Sequence, residues 1–223
     1  TDETLTVDET TLGTDAVASF ANNFKTLTID GGADGIDASK SSTTYTLSAT
    51  AGESGLVDTA TGEKVILSVE NGVVTGSVTI SGVETTVFTV STDNSGTVTL
   101  DQVRAIEHSN TADHDDTNSS ITDDLITLTK TVTVVDGDGD SASDSASINI
   151  GANLNFKDDG PSVDVATSGE TEKTLTVDET NLNTNATADF SNSFTNTINA
   201  GADGEASSTT TYAVSATAGD SGL

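Results

Sequence analysis

The stretch KVILSVENGVVTGSVTI (residues 64–80) decides the fold class, because apolar and polar residues alternate on both sides of Asn71-Gly72. Alternation with a period of two is typical of a β-strand with one buried face. Asn-Gly fits the centre of a type I′ turn, where both residues need positive φ. The stretch therefore predicts an antiparallel β-hairpin.

Alternating segments recur on both sides of this hairpin and are separated by polar turns. They lie at residues 83–90, after a Ser81-Gly82 turn, and at 97–100, 125–135 and 146–150. In 125–135 the even positions carry Ile126, Leu128, Val132 and Val134, with Lys130 placed nearer an edge. Regularly spaced strands of this kind predict an all-β fold, an antiparallel two-sheet β-sandwich.

Two further predictions concern a helix and the core. In LDQVRAIEHS (100–109), Leu100, Val103 and Ile106 recur every third residue and Asp101 is a possible cap, which favours a short helix. The few aromatic residues are expected to anchor the core: Phe20, Phe24, Tyr45, Phe88 and Phe156.

Composition limits the possible partners. The chain has 36 acidic and 7 basic residues and a formal charge of −29, which repels nucleic acid and anionic membrane surfaces and attracts cations. No apolar run reaches the length of a membrane helix, so direct membrane insertion is not expected. Without cysteine, disulfide and thiolate chemistry is excluded.

The chain contains an internal repeat. TLTVDETTLGTDAVASFANNF (4–24) returns as TLTVDETNLNTNATADFSNSF (174–194), and TTYTLSATAGESGL (43–56) returns as TTYAVSATAGDSGL (210–223). A period of 167–170 residues suits a whole globular domain in a tandem array. We therefore divide the chain near Pro161 into one full repeat, copy one (1–160), and a linker with the first third of the next repeat, which together we call copy two (161–223). The alternative is a domain split across the repeat boundary, with 57–223 as one unit.

The DGDGD loop carries the first candidate metal site. Asp136, Asp138 and Asp140 alternate with glycine, and Asp144 follows. An EF-hand is excluded because its sixth and twelfth positions are occupied by Ser141 and Ser147. Alternate carboxylates on a tight loop can still converge on calcium, which accepts six to eight oxygens in flexible geometry. A solvated turn without metal is the other interpretation.

The junction carries a second acidic cluster. FKDDGPSV contributes Asp158 and Asp159, and the following TVDET contributes Asp178 and Glu179. A cation held between these pairs would stiffen the linker. Their equivalents in copy one, Asp8 and Glu9, would face a preceding repeat. Ordinary linker acids are the alternative.

Two further loops are candidates. The GADG turns place Asp34 in copy one and Asp203 in copy two, where each could bind calcium. TADHDD (111–116) combines Asp113, Asp115 and Asp116 with His114, and is interpreted as a calcium loop or a solvated loop. A structural zinc site is not expected, since His108 and His114 are the only histidines.

An enzyme is not expected. There is no GxSxG elbow and no glycine-rich phosphate loop with lysine. A pair of carboxylates could serve a glycosidase, but such clefts usually stack sugars on aromatic rings, and tryptophan is absent.

The ordered set of TLTVDET, GADG, TYTLSATAGESGL, AIEHSN, TVTVVDGDGDSAS and FKDDGPSV resembles the long repeats of type I-secreted RTX adhesins of Gram-negative bacteria. The resemblance implies an Ig-like or cadherin-like extender domain, loaded with calcium and repeated between a membrane-proximal anchor and distal ligand-binding domains. It implies an extracellular, cell-surface location and a role in adhesion and biofilm formation. Calcium in the linker would map to Asp158, Asp159, Asp178 and Glu179.

These observations predict a monomeric, non-catalytic spacer whose partners are neighbouring repeats of the same chain. Calcium would neutralise repelling carboxylates and make the array rigid. The alternative function is a calcium-dependent carbohydrate- or peptide-binding module of the same adhesin.

Overall fold

A computed structural model describes residues 3–25, 27–117, 119–169 and 173–220. The regular elements in these ranges are β-strands and single-turn 3-10 helices. The strands, numbered in chain order, are β1 Leu5–Asp8, β2 Ala16–Ser19, β3 Ser42–Ala49, β4 Gly52–Asp58, β5 Glu63–Glu70, β6 Val73–Ile80, β7 Val83–Thr92, β8 Thr97–Gln102, β9 Ser119–Ser120, β10 Ile126–Val135, β11 Ser141–Asn149, β12 Leu154–Lys157, β13 Ser162–Thr167 and β14 Phe194–Asn199. The 3-10 turns are Glu9–Thr11, Ala21–Asn23, Gly151–Asn153, Glu179–Asn181 and Ser191–Ser193.

Two antiparallel sheets form most of copy one. The larger has the strand order β2-β8-β7-β6-β5-β4, and the smaller has the order β11-β10-β3. Strand β3 lies against β5, β6 and β7 of the larger sheet, and both sheets contribute buried side chains to one hydrophobic cluster. The prediction of an all-β fold with antiparallel sheets is confirmed.

The two predicted tight turns are present. β5 and β6 pair on either side of Asn71 and Gly72, whose φ values are 52° and 80°. β6 and β7 pair on either side of Ser81 and Gly82, with φ values of 52° and 84°. Positive φ at both central residues is the requirement of a type I′ turn, so these two hairpins are confirmed.

The predicted helix at 100–109 is wrong. β8 occupies the start of this segment, between β7 and β2, and buries Val98, Leu100 and Gln102 at alternate positions. Val103 is exposed, whereas a helix with the predicted apolar face would bury it. The backbone hydrogen-bonding groups of β8 pair with two neighbouring strands, β7 and β2. This tertiary pairing outweighs the helical spacing of Leu100, Val103 and Ile106.

One pair of strands is parallel, unlike the wholly antiparallel arrangement expected. β1 lies beside β12, with Leu5 opposite Leu154 and Asp8 opposite Lys157, and β9 pairs antiparallel with the other edge of β12. Because β1 and β12 run in the same direction, the residues that follow these two strands leave the sheet at the same end. The pairing thus brings the two ends of copy one together.

The core lies in copy one. All five predicted aromatic anchors are buried, and the hydrophobic cluster draws on side chains from Leu5 to Phe156. Most described residues of 162–220 are exposed, and their paired strands are β13 and β14. The division near Pro161 and the alternative unit 57–223 stay predictions. No helix in the described ranges is long and apolar enough to cross a membrane.

Candidate metal centre

Glu9 is held inside copy one by the turn that follows β1. Asp8 caps this 3-10 turn, and its Oδ1 accepts a hydrogen bond from Thr10 N at 2.9 Å. The turn directs Glu9 inward, where the residue is only 2% exposed. Glu9 Oε1 accepts hydrogen bonds from Gln102 Nε2 at 2.8 Å and from Ile106 N at 2.9 Å. One carboxylate oxygen is therefore fixed by β8 and the segment after it.

Asp158 reaches the same place from β12. Its backbone N donates to Asp116 O at 2.9 Å, which ties the junction to the 113–116 loop, and the residue is 8% exposed. His108 completes the group, with Nε2 at 3.4 Å from Glu9 Oε1. Potential ligand atoms of Glu9, His108 and Asp158 lie within 4.8 Å of one another. We call these three residues the Glu9 cluster.

The Glu9 cluster contains polar atoms without a hydrogen-bond partner among the described residues. They are Glu9 Oε2, Asp158 Oδ1 and His108 Nδ1, all buried. A buried carboxylate oxygen left unpaired costs free energy, and a native protein normally satisfies it with a partner, an ordered water or an ion. Unpartnered carboxylate oxygens on two residues whose potential ligand atoms lie within 4.8 Å of each other are suitable ligands for a hard cation such as calcium.

Electrostatics support a positive charge at this place. Burial lowers the pKa of His108, but its bond to Glu9 and the charges of Glu9, Asp158 and Asp116 outweigh burial and place that pKa above its usual range. The surroundings therefore favour a positive charge, and the protonated imidazolium of His108 is one such charge. Calcium takes oxygen ligands, so the unpartnered carboxylate oxygens suit it better than the nitrogens of His108, whose Nε2 is hydrogen-bonded to Glu9.

Asp8 is engaged elsewhere. Asp8 Oδ2 lies 2.9 Å from Lys157 Nζ, and the same ammonium lies 2.6 Å from Asp115 Oδ1. Burial raises the pKa of Asp8, but its bonds to Thr10 and Lys157 outweigh burial and lower it overall. Asp8 is thus neutralised by a side chain of the neighbouring strand.

The DGDGD and GADG loops meet, although the sequence predicts them as separate sites. Ile36 forms a β-bridge with Asp136, and a Cβ on Gly137 would lie 2.6 Å from Asp34 O. Carboxylate oxygens of Asp34, Asp136 and Asp138 lie within 4.8 Å of one another, and we call these residues the Asp136 cluster. Unlike the Glu9 cluster, it is largely open to solvent.

The other two aspartates of this loop region lie outside the Asp136 cluster. Asp140 N donates to Asp136 Oδ1 at 2.8 Å and thereby closes the turn. Asp144 lies within β11, opposite Val132. Its Oδ1 accepts a bond from Ser145 N at 2.9 Å.

At the junction, the structure groups the acids differently from the prediction. Asp158 lies close to Glu9 of its own copy, because the parallel strands β1 and β12 finish at the same end of the sheet. Asp178 caps the first turn of copy two by accepting from Thr180 N at 2.8 Å, and both Asp178 and Glu179 are exposed. Neither belongs to the acidic groups found in the described residues.

Copy two nevertheless touches the junction through its GADG turn. A Cβ on Gly201 would lie 2.0 Å from Asp159 O, so the turn carrying Asp203 packs against the backbone after Asp158. On the other side of the junction, Gly160 N donates to His114 O at 3.1 Å. Residues 158–160 therefore lie between the 113–116 loop and the turn of copy two.

His108 is not among the ligands predicted from the sequence, and Asp116 is predicted only as part of a calcium loop or a solvated loop. The sequence predicts no metal site at His108, because the chain contains no cysteine and only one other histidine. Ile106 is buried and bridges to Asp58, and His108, two residues further along, lies on the same side of the chain while Glu107 between them is exposed. A reading of 103–109 as extended chain after β8 could have placed His108 near the core.

Comparison with known proteins gives one match. A family model described as a domain of unknown function (DUF5801) matches residues 4–151 and again residues 174–223. The second match covers the part of copy two that repeats the start of copy one. No curated protein and no solved structure matches the chain.

Proposed function

We propose that this chain, which belongs to the DUF5801 family and carries one long and one shorter match to it in tandem, is a non-catalytic structural extender made rigid by calcium. The copies would serve as spacers in a bacterial cell-surface RTX adhesin that holds distal ligand-binding domains away from the cell. We further propose that the two antiparallel sheets form an Ig-like sandwich.

The observation that carries this proposal is the pair of buried, unpartnered oxygens, Glu9 Oε2 and Asp158 Oδ1, at the point where copy one meets the junction. A calcium ion bound there would neutralise both carboxylates and fix Asp158, and with it residues 158–160. Those residues contact copy two through Gly201. Calcium binding inside copy one would thus limit the motion of the linker.

The test is thermal unfolding of the full chain in excess EDTA and in millimolar calcium. At a hundredfold excess over its dissociation constant, one calcium ion adds about 2.7 kcal/mol. This corresponds to a rise of about 5–10 °C in the unfolding midpoint of a domain of this size. We expect Glu9→Gln and Asp158→Asn to lose most of that rise.

Glu179→Gln is the matched control. Glu179 occupies the position of Glu9 in copy two but is exposed, so the calcium-dependent rise should persist in this variant. An equal rise in Glu9→Gln and wild type would contradict the site. A rise produced by zinc alone would contradict calcium as the cation.

The open Asp136 cluster supports the second candidate function, a calcium-dependent carbohydrate- or peptide-binding module. A cation bound to the Asp136 cluster would keep coordination positions open to solvent, where an external ligand could bind. A cation in the buried Glu9 cluster would not. Screening the chain against arrays of glycans and peptides in calcium tests this function. Reproducible binding that Asp136→Asn abolishes would favour the module over the spacer.

A further inference from the structure

The junction of the two copies forms a strand that pairs with copy two. β13 follows residues 158–160 directly and pairs antiparallel with β14, with Val163 opposite Ile198 and Val165 opposite Asn196. Among the described residues, β14 is its partner strand. Although it immediately follows the core of copy one, β13 is therefore joined by backbone hydrogen bonds to the copy that comes after it.

Copy one has the same segment without the partner. Residues 28–30 (Thr-Ile-Asp) correspond to 197–199 (Thr-Ile-Asn) of β14. In the described part of the chain no strand pairs with residues 27–30, and Leu27 and Ile29 are 44% and 46% exposed. These two side chains correspond to the β14 residues that oppose Val165 and Val163.

The surroundings of this segment are alike in the two copies. Phe24 packs edge-on against Tyr45 with ring centroids 5.7 Å apart, and the equivalent rings Phe194 and Tyr212 lie 6.0 Å apart. The 3-10 turn that precedes each phenylalanine is also repeated. The same local structure thus leads into a paired strand in copy two and into an unpaired segment in copy one.

An apolar groove lies beside the unpaired segment. Phe24 and Leu27 form one wall, and Ala146 and Ile148 of β11 form the other, around a cavity of about 360 Å³. β11 pairs with β10 on one side, and no described strand covers its other edge. An uncovered strand edge next to exposed apolar side chains is a site for adding a strand.

We propose that the groove accepts the junction strand of another copy, a segment with the sequence of Ser162–Thr167 placed ahead of copy one in a tandem array. This strand pairs with residues 27–30, sets Val163 against Ile29 and Val165 against Leu27, and covers the groove. Asp164 then points away from the apolar face. The structural unit accordingly begins at Pro161, and each linker is also the first strand of the next domain.

Strand sharing connects the copies by backbone hydrogen bonds and does not require calcium. An experiment can therefore support or overturn strand sharing independently of the proposed metal site. A different occupant, such as an unrelated peptide, would not need the register that β13 and β14 define.

The test is to graft residues 161–170 in front of Thr1 of the full chain. In copy two the same ten residues precede Thr171, which corresponds to Thr1, so the graft preserves the natural spacing. In EDTA we expect the graft to raise the unfolding midpoint of copy one by about 5 °C, because two valines and two exposed apolar side chains become buried. A graft carrying Val163→Asp and Val165→Asp should give no rise.

Cysteine pairs provide a readout of register, because the natural chain contains no cysteine. Val163→Cys in the graft combined with Ile29→Cys should close a disulfide within one molecule on oxidation. Asp164→Cys in the graft, on the opposite face, combined with Ile29→Cys should not. No rise in the midpoint, or equal closure of the two pairs, would overturn the proposal.

Discussion

Asp58 and Arg104 form an ion pair at the end of β4, with Asp58 fully buried. Arg104 Nε lies 2.7 Å from Asp58 Oδ1 and its Nη2 lies 2.9 Å from Oδ2, while Thr61 Oγ1 donates to Oδ2 at 2.7 Å. We expect Arg104→Ala to lower the free energy of unfolding by about 3 kcal/mol, since it leaves a buried carboxylate without its cation. Urea denaturation measures the change.

Lys64→Ala is the control for this prediction. It breaks the exposed Lys64–Glu53 pair, whose N–O distance is a similar 2.8 Å, and should cost less than 1 kcal/mol. Equal losses in the two variants would show that burial does not determine the strength of the Asp58 pair.

The same pair predicts an acid dependence. Burial raises the pKa of Asp58, but the bonds to Arg104 and Thr61 outweigh it and place the pKa below its usual value. A lowered carboxyl pKa contributes stability above the unfolded value, near 4, and that contribution is lost as pH falls through the folded value. Between pH 6 and 3 the free energy of unfolding should fall more in wild type than in Asp58→Asn. Parallel curves would contradict the assignment.

At the scale of elements, the Phe88 ring of β7 fills the space beside Gly76, its partner on β6, where a side chain would otherwise lie. A Cβ on Gly76 would lie 2.2 Å from the Phe88 ring, and that ring packs on Phe156 at 5.3 Å. We expect Gly76→Ala to cost about 2 kcal/mol through overpacking, as measured by urea denaturation. Adding Phe88→Leu should cost less in this background than in wild type.

Ser68→Ala is the control, since Ser68 is an exposed position on the adjacent strand β5. It should change the free energy of unfolding by no more than about 0.5 kcal/mol. Additive costs of Gly76→Ala and Phe88→Leu would indicate that the two side chains do not compete for the same space.

Elements fixed by local chemistry could be predicted from the sequence. The Asn71-Gly72 and Ser81-Gly82 turns and the buried face of β10 follow from turn residues and alternation alone. The structure of segment 100–109 could not be predicted in this way. Leu100 fits both a helical and a strand pattern, and only the pairing of β8 with β7 and β2 decides between them. The Glu9 cluster could not be predicted either: the sequence marks both Glu9 and Asp158 as candidate metal ligands, but only the parallel pairing of β1 and β12 brings them together.

At the scale of the whole molecule, the two copies separate local from long-range contributions to structure. Copy two reproduces the capped turn at Asp178 and the Phe194–Tyr212 ring contact of copy one. Residues 175–178, the equivalent of β1, form no strand, whereas β1 pairs with β12. Turns and ring pairs thus form from nearby residues, while the strand and the burial of Glu9 require the far end of the copy.

The formal charge of −29 gives the whole chain a strong preference for cations. In the proposed mechanism, carboxylates near the junction repel one another without calcium and are drawn together with it. Residues 158–160 link the Glu9 cluster to the turn at Gly201, so binding within copy one is expected to restrict copy two.

Small-angle X-ray scattering of the full chain, first in excess EDTA and then in millimolar calcium, tests this mechanism most directly. We expect a longer maximum dimension and a narrower distribution of distances in calcium, with both changes lost in Asp158→Asn. Scattering profiles that are identical in EDTA and calcium would contradict the claim that calcium makes the chain a rigid spacer.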